Sequence, residues 1–319
     1  MVLEEKVAMP VAADFVRLTE PYRRELLAHC YRMMGTVDEA EDLVQETYLR
    51  AWRSYDGFEG RSSPRTWLYR IATNACLSAL QGRGRRPLPS GLGGPSETID
   101  GPPAPPEVTW LQPLADDPAA VVLTRGSLRL ALIAALQHLP ARQRAVLILR
   151  DVLGWSTTEV AEALDTTTAA VKSTLQRARA QLQRVAPAED HVAEPPEPGV
   201  RALLARYMSA FERADTAALA RLLTDDVALE MPPLPTWLRG RETVARFAGS
   251  HIFGPAGSLK LVPLRANGQP ATATYRRGGD GLYRAHAIQV LTFTGEKISS
   301  IVAFLDPDLF PRFGLAATA

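Results

Sequence analysis

The chain has 319 residues, 46% of them hydrophobic and 22% charged, and its 36 basic and 35 acidic side chains leave a net charge of +1. That length suits two or three domains, and the even balance excludes a global basic field for nucleic acid, so charge has to be read locally. Two cysteines, Cys30 and Cys76, lack metal-ligand spacing and read as small core residues, and five scattered histidines form no metal cluster. The N-terminal MVLEEKVAMP is not built like a signal peptide, and no apolar run approaches a membrane span. The expectation is a cytoplasmic protein with no membrane association and no cofactor.

Residues 12–82 read as all-helical. A first helical region runs from Phe15 to Met34 and ends near Gly35. Pro21 sits where it can start a new helix within that region. The next helix, Asp38 to Arg53, buries Ala40, Leu43, Val44, Thr47 and Ala51 and turns Asp38, Glu41, Asp42, Gln45 and Glu46 outward. Tyr55 to Pro64 is a Gly- and Ser-containing loop. The third helix, Arg65 to Gln81, has Leu68, Ile71, Ala72, Ala75 and Ala79 as its core face.

From Gly82 the character changes to GRGRRPLPSGLGGPSETIDGPPAPPE. Such a Gly- and Pro-rich segment buries too little apolar surface to order itself, so residues 83–117 read as a flexible linker. Its head, Arg83, Arg85 and Arg86, is either a phosphate-following patch or a solvated start. Helices resume at 118–186, with Val121 to His138 long and apolar and Ala141 to Val152 after Pro140.

Trp155 to Leu182 is the most informative stretch. A short helix at about Thr157 to Leu164 carries Val160, Ala161 and Leu164 on one face. Asp165 and Thr166 to Thr168 then break the pattern, as turn and N-cap residues do. The second helix places Val171, Leu175, Ala178 and Leu182 in one apolar stripe. Its other face offers Thr168, Ala169, Lys172, Ser173, Gln176, Arg177 and Arg179. A buried stripe backed by a basic, amide-bearing face is what a recognition helix in a major groove requires. Between Ala141 and Ala186, seven basic residues face four acidic ones, the local surplus that phosphate contacts need.

A second linker, Pro187 to Gly199, precedes a different third domain, 200–319. Helices at Val200 to Arg213, Thr216 to Leu223 and Arg241 to Ser250 are combined with strands at Val227 to Met231, Leu259 to Arg265, Ala271 to Tyr275, Leu282 to Thr294 and Lys297 to Leu305. Turns fall at Asn267-Gly268, Gly278–Gly281 and Gly295-Glu296. This order argues an α+β domain with a curved antiparallel sheet packed on helices.

Two helical units on a long linker, the second ending in a helix-turn-helix, resemble a sigma-70 family factor of the extracytoplasmic-function type over about Phe15 to Leu182. One marker is Asp38-Glu39-Ala40-Glu41-Asp42-Leu43-Val44-Gln45-Glu46 through Trp52, similar to the region 2.2 helix that docks on the RNA polymerase β′ coiled coil. It implies Asp38, Glu41, Asp42, Gln45, Glu46, Leu49 and Trp52 as polymerase-binding residues. An acidic, amide-rich face beside two large apolar side chains suits a basic protein partner and repels DNA.

The second marker, Arg65-Thr66-Trp67-Leu68-Tyr69-Arg70 through Cys76, resembles the segment that melts and reads the minus-10 element, with a flipped base held by the loop Phe58 to Pro64. It implies Arg61, Ser62, Ser63, Arg65, Trp67, Tyr69, Arg70 and Asn74 as contacts, with Trp67 either a stacking platform or a core aromatic. The third marker, Leu139-Pro140-Ala141-Arg142-Gln143-Arg144 through the helix-turn-helix, resembles region 4 and implies minus-35 contact. By the same resemblance the partners are core RNA polymerase, through its β′ coiled coil and β flap, promoter DNA and a candidate anti-sigma factor.

In the last third, Tyr207 to Asp215, Leu222 to Val227 and Met231 to Arg241 resemble a SnoaL-like, nuclear-transport-factor-type cone. Sigma factors of the sigma-G and sigma-J types carry such a domain. The fold implies a pocket between sheet and helices for a small apolar ligand, with Met231, Trp237, Phe247, Tyr283, His286 and Phe304 as candidate lining. Some cones are isomerases or cyclases, and Asp225, Asp226, Glu230 and His286 are the groups available here, but no acid and base pair can be assigned, so no catalytic residue is named. Arg277-Gly278-Gly279-Asp280-Gly281 has the composition of a regulatory glycine motif of some relatives, in a different order. The expectation is a promoter-specificity subunit that its cone regulates in cis. The alternative is a cone acting as enzyme or ligand sensor on a DNA-binding regulator.

Overall fold

The computed structural model describes residues 13–60, 62–98, 108–116, 128–185 and 197–319. The chain forms two units, Met1–Arg86 with Ala131–Ala186, and Pro87–Leu130 with Pro187–Ala319. Arg61, residues 121–127 of the expected helix and most of the second linker lie outside the described residues.

The first unit is helical. Residues 13–19 lead through a single turn at Glu20–Tyr22 into α1, Arg23–Met34. Gly35 ends α1 with φ +83°, its amide returning to the Tyr31 carbonyl at 2.8 Å, and a Cβ at that position would meet the Gln137 side chain at 3.0 Å. Helix α2, Val37–Arg53, buries Val37, Ala40, Leu43, Val44, Thr47 and Ala51 as its periodicity predicts. Helix α3, Pro64–Ala79, starts with proline in its first turn and with the Ser63 hydroxyl accepting the Thr66 amide at 3.0 Å. Leu26, Cys30, Met33 and Met34 of α1 are buried, as are Leu68, Ala72, Ala75 and Cys76 of α3. Both cysteines are free.

Helices α4, Leu130–Leu136, and α5, Ala141–Leu147, are followed by a π-type turn at Ile148–Val152. Then come α6, Thr157–Ala163, and α7, Thr168–Val185. Ser156 and Glu159 form a reciprocal capping box at the start of α6. Asp165 takes φ +48° in the turn, and the Thr167 hydroxyl accepts the Ala170 amide at 3.1 Å to start α7. Val171, Leu175 and Ala178 are buried as expected, and Leu182 is half-buried.

The second unit contains α8, Glu197–Glu212, α9, Thr216–Leu222, and α10, Arg241–Phe247. They accompany strands β1, Leu223–Glu230; β2, Trp237–Arg239; β3, Leu259–Ala266; β4, Gln269–Arg277; β5, Tyr283–Thr294; and β6, Lys297–Phe304. The strand order is β2-β1-β6-β5-β4-β3. The expected all-antiparallel sheet is corrected at one place: β1 pairs with β6 in parallel, giving a mixed sheet. Local turns such as Asn267-Gly268, both at positive φ, predict hairpins. The β1–β6 pairing joins strands far apart in sequence and has no local signature. Val200, Leu203, Tyr207, Phe211, Leu219 and Leu222 of the helices pack with Leu229, Leu261, Leu291, Phe293 and Ile301 of the sheet.

The expected flexible linker differs as well. Leu111 is fully buried and Leu88 nearly so. Ser96 pairs in parallel with Leu238 on edge strand β2, and Ala115 with Ala266 on edge strand β3. The Ser96 amide donates to the Trp237 carbonyl and the Trp237 indole to the Gly93 carbonyl, both at 2.8 Å. Asn267 accepts the Leu114 amide at 2.9 Å, and Asp116 accepts the Gly268 amide at 2.7 Å and faces Arg265 at 3.3 Å. Few apolar anchors suffice because two open sheet edges supply main-chain partners.

Candidate functional sites: docking face, DNA readers and cavity

On α2 the spacing that buries one stripe leaves Asp38, Glu41, Asp42 and Gln45 exposed. Leu49 and Trp52, one and two turns further on, are 51% and 43% exposed. Trp52 meets Phe15 edge-on with ring centroids 5.1 Å apart and stacks on Tyr55, so its position is set although its face is open. Glu46 is half-buried and pairs with Arg50 at 2.7 Å. Glu39 is not part of this open face. Its Oε1 accepts from Arg83 and Arg86, each at 2.5 Å. The basic head of the linker is thus folded onto the first turn of α2, with Arg85 against His138 at 3.0 Å.

The residues expected at the minus-10 reader separate into two groups. Ser62, Ser63, Arg70 and Asn74 are exposed, and Trp67 is half-buried and stacked on Phe58 at 4.5 Å. Tyr69 is a correction. It is 1% exposed, its ring edge-on to His29 and Trp155, and its hydroxyl donates to Glu25 at 3.2 Å. A ring enclosed in this way offers no face to a base. Arg65 pairs with the same Glu25 carboxylate at 2.7 Å and lies over the Tyr69 ring. Burial first, then the Glu25 charge, pushes the Tyr69 phenol well above its usual pKa, so it stays a neutral donor.

On α7, Thr168, Ala169, Lys172, Ser173, Gln176, Arg177 and Arg179 are all exposed. Arg179 is nevertheless held bidentately by Asp151 of the π-type turn, at 2.9 and 2.7 Å. Arg142 donates to the Leu164 carbonyl at 2.8 Å, and Arg150 donates to the Trp155 carbonyl. Arg144 is buried against the first helical bundle, where it donates to the carbonyls of Met33 and Leu139 and to Gln137. Four of the seven basic residues in this segment therefore brace the fold in the structure. Lys172 and Arg177 remain the basic groups near the helix N-terminus that face outward.

In the C-terminal domain a cavity of about 210 Å³ opens between the sheet and α10 with its following turn. Of the expected lining, Met231, Phe247 and His286 are there; Trp237, Tyr283 and Phe304 are not. Phe304 is core, the Tyr283 hydroxyl donates to the Gly257 carbonyl, and Trp237 holds Gly93. Thr274, Arg276 and Gln289 line the cavity and were missed by choosing large apolar residues. Their period-two spacing on β4 and β5 is the signal that was available. His286 and Ala287 both face the cavity because the register slips between Thr274↔Ala287 and Tyr275↔Ala285, a bulge that leaves His286 as the extra residue. Asp225 and Asp226 are exposed on β1 and face Arg241 and Arg239, and Glu230 is buried with its carboxylate accepting the Ser90 amide at 2.8 Å. None of these three acids lines the cavity.

Three family models match parts of the chain. Residues 18–86 match Sigma-70 region 2, 129–182 match Sigma-70 region 4, and 204–301 match the SnoaL-like domain. The chain is 53% identical over 313 residues to the ECF RNA polymerase sigma factor SigG of Mycobacterium tuberculosis, covering 95% of this chain and 84% of that one. The chain belongs to the extracytoplasmic-function sigma factor family. It is 31% identical to the ECF sigma factor SigJ of the same species over 91% of both chains. The crystal structure of M. tuberculosis SigJ matches this sigma factor with a TM-score of 0.64 at 26% identity, over 94% of this chain and all of that one. Among the described residues of the sigma factor, no helix is long and apolar enough to cross a membrane.

Proposed function

We propose that this sigma factor binds core RNA polymerase through the acidic face of α2, with Leu49 and Trp52 as its apolar anchors, and that it reads two promoter elements. The exposed face of α7, with Lys172, Gln176 and Arg177, serves the minus-35 element. Ser62, Ser63, Trp67, Arg70 and Asn74 serve the minus-10 element, with Trp67 as a stacking platform. The C-terminal domain acts in cis on the reach between the two readers.

One observation supports this regulatory part. The segment joining region 2 to region 4 is hydrogen-bonded to both edge strands of the C-terminal sheet, at Ser96 and at Leu114 to Asp116. Elements named minus-10 and minus-35 lie about 25 base pairs apart, about 85 Å of B-DNA at 3.4 Å per pair. A joining segment held at two points cannot extend fully across that span. Release from the sheet edges restores the reach, and effective concentration makes the hold strong although each contact is weak.

The test is run-off transcription with core polymerase, comparing the full chain with one truncated before Val200 and with the double variant Asn267→Ala, Asp116→Ala. Both changes should raise transcription. Unchanged transcription together with unchanged polymerase affinity would sink the regulatory reading.

A further inference from the structure

The cavity of the C-terminal domain has a one-sided polar lining. Its apolar walls come from Met231, Phe247, Ile252, Leu259, Ala303 and Leu305. Its polar groups are Thr274, Arg276, Gln289 and two histidines, with no carboxylate among them.

Each of the first three polar groups has donor capacity to offer. Thr274 is 1% exposed, and its hydroxyl has no hydrogen-bond partner. A buried hydroxyl left unpaired is costly, and native folds seldom keep one without a reason. Gln289 accepts on Oε1 from Tyr207 at 2.8 Å and from Thr272 at 3.2 Å. Both lone pairs of that oxygen are used, so what it presents to a ligand is its amide N–H groups. Arg276 lies two residues along β4 from Thr274, on the same face of the strand. It donates to the Ile252 carbonyl at 3.2 Å, and among the described residues no acid pairs with it. Burial, then the Arg276 charge, lowers the His286 imidazole below its usual pKa, so the lining carries the guanidinium charge without a second one from His286 at neutral pH.

We propose that this cavity binds a small apolar acid: a single-ring or short-chain body against the apolar wall, and one carboxylate received by Arg276, Thr274 and Gln289. The size is consistent, since an apolar cavity of roughly 150 Å³ accepts benzene. A guanidinium with no acid paired to it among the described residues, beside the unpaired Thr274 hydroxyl, is built for an anion, and a neutral ligand leaves it uncompensated. The assignment rests on the reading of this domain as regulatory only for its consequence in transcription.

The test uses the full chain and two probes of matched shape, benzoate and benzyl alcohol, followed by calorimetry and by the methyl resonance of Met231. Benzoate should bind on the order of tenfold more tightly than benzyl alcohol and shift that resonance. Arg276→Met should abolish the preference, weakening benzoate far more than benzyl alcohol. Thr274→Val, nearly isosteric, should weaken benzoate several-fold without lowering the melting temperature. Absence of binding by both probes, equal binding of the two, or a preference that survives Arg276→Met would each overturn the proposal. These outcomes are independent of the truncation experiment, so the binding site and the regulation in cis fail separately.

Discussion

The guanidinium of Arg144, on α5 of region 4, donates to the main-chain carbonyl of Met33 at the end of α1 in region 2. The same side chain reaches Gln137 Oε1 at 2.8 Å and the Leu139 carbonyl at 3.1 Å, and it is 4% exposed. All of these acceptors are neutral. Burial lowers the Arg144 pKa to about 10, which leaves it charged at neutral pH. A charge enclosed with carbonyl partners fixes one arrangement of the two regions, because any slippage strands it. Trp155, edge-on to Tyr69 with ring centroids 6.1 Å apart, belongs to the same contact.

Arg144→Met should therefore separate region 4 from region 2. Its loss leaves several buried carbonyls unpaired, at a cost of about 1–3 kcal/mol. Denaturant unfolding followed by Trp155 fluorescence should show an earlier transition for the variant. Arg144→Lys should not restore it, since a point charge lacks the planar fork. A midpoint equal to that of the parent chain for both variants would show the contact to be energetically silent.

Trp52 is held by Phe15 and Tyr55 yet is 43% exposed. Trp52→Ala should weaken core polymerase binding by about 2 kcal/mol or more, the loss usual for an aromatic anchor. Asp42→Lys should weaken it too, with a changed salt dependence, because it reverses the charge on the exposed face of α2. Circular dichroism should be unchanged for both. Equal polymerase affinity of parent and variants would move the docking surface elsewhere.

Arg177 and Arg179 stand two residues apart on α7 but differ in commitment. Arg177 rests loosely on the Thr174 hydroxyl at 3.3 Å, whereas Arg179 is gripped by Asp151. Arg177→Ala should remove about 1–3 kcal/mol of discrimination at one minus-35 base pair, read by transcription across promoter variants. Arg179→Ala should act evenly across them. An even loss from Arg177→Ala would assign that side chain to phosphate instead.

His29 predicts a pH response. Thr73 donates its hydroxyl proton to the Tyr69 carbonyl at 2.7 Å, so it accepts from His29 Nε2 at 2.9 Å, and the buried Nδ1 has no partner. Burial first, then Arg32, lowers the imidazole from 6.5 to about 3. The unfolded chain therefore binds a proton between those values that the folded chain refuses. Stability from this residue is complete above pH 6.5 and falls as the pH drops toward 3, at up to about 1.4 kcal/mol per pH unit. Urea unfolding from pH 7 to 4 should show that slope, and His29→Gln should reduce it. Identical slopes would remove His29 as the cause.

Much of the fold was legible in local pattern. The stripes of α2, α3 and α7 and the Asn267-Gly268 turn each depend on residues a few positions apart, and so do the exposed acids of α2 and the outward face of α7. Side-chain size alone does not find the polar lining of the cavity. The donors Thr274, Arg276 and Gln289 lie on two strands whose register is set by a bulge at His286.

By itself the sequence determined which faces are apolar, where several helices begin, and which charges stand opposite a buried stripe, since these follow from periodicity and short-range hydrogen bonding. Only the tertiary structure decided which exposed-looking groups become partners. It enclosed Tyr69 and Arg144, set Asp151 on Arg179, ran β1 parallel to β6 and drew a Gly- and Pro-rich tether onto two sheet edges. Those choices depend on contacts between residues far apart in the chain, and a buried polar group goes wherever the fold supplies its bonds.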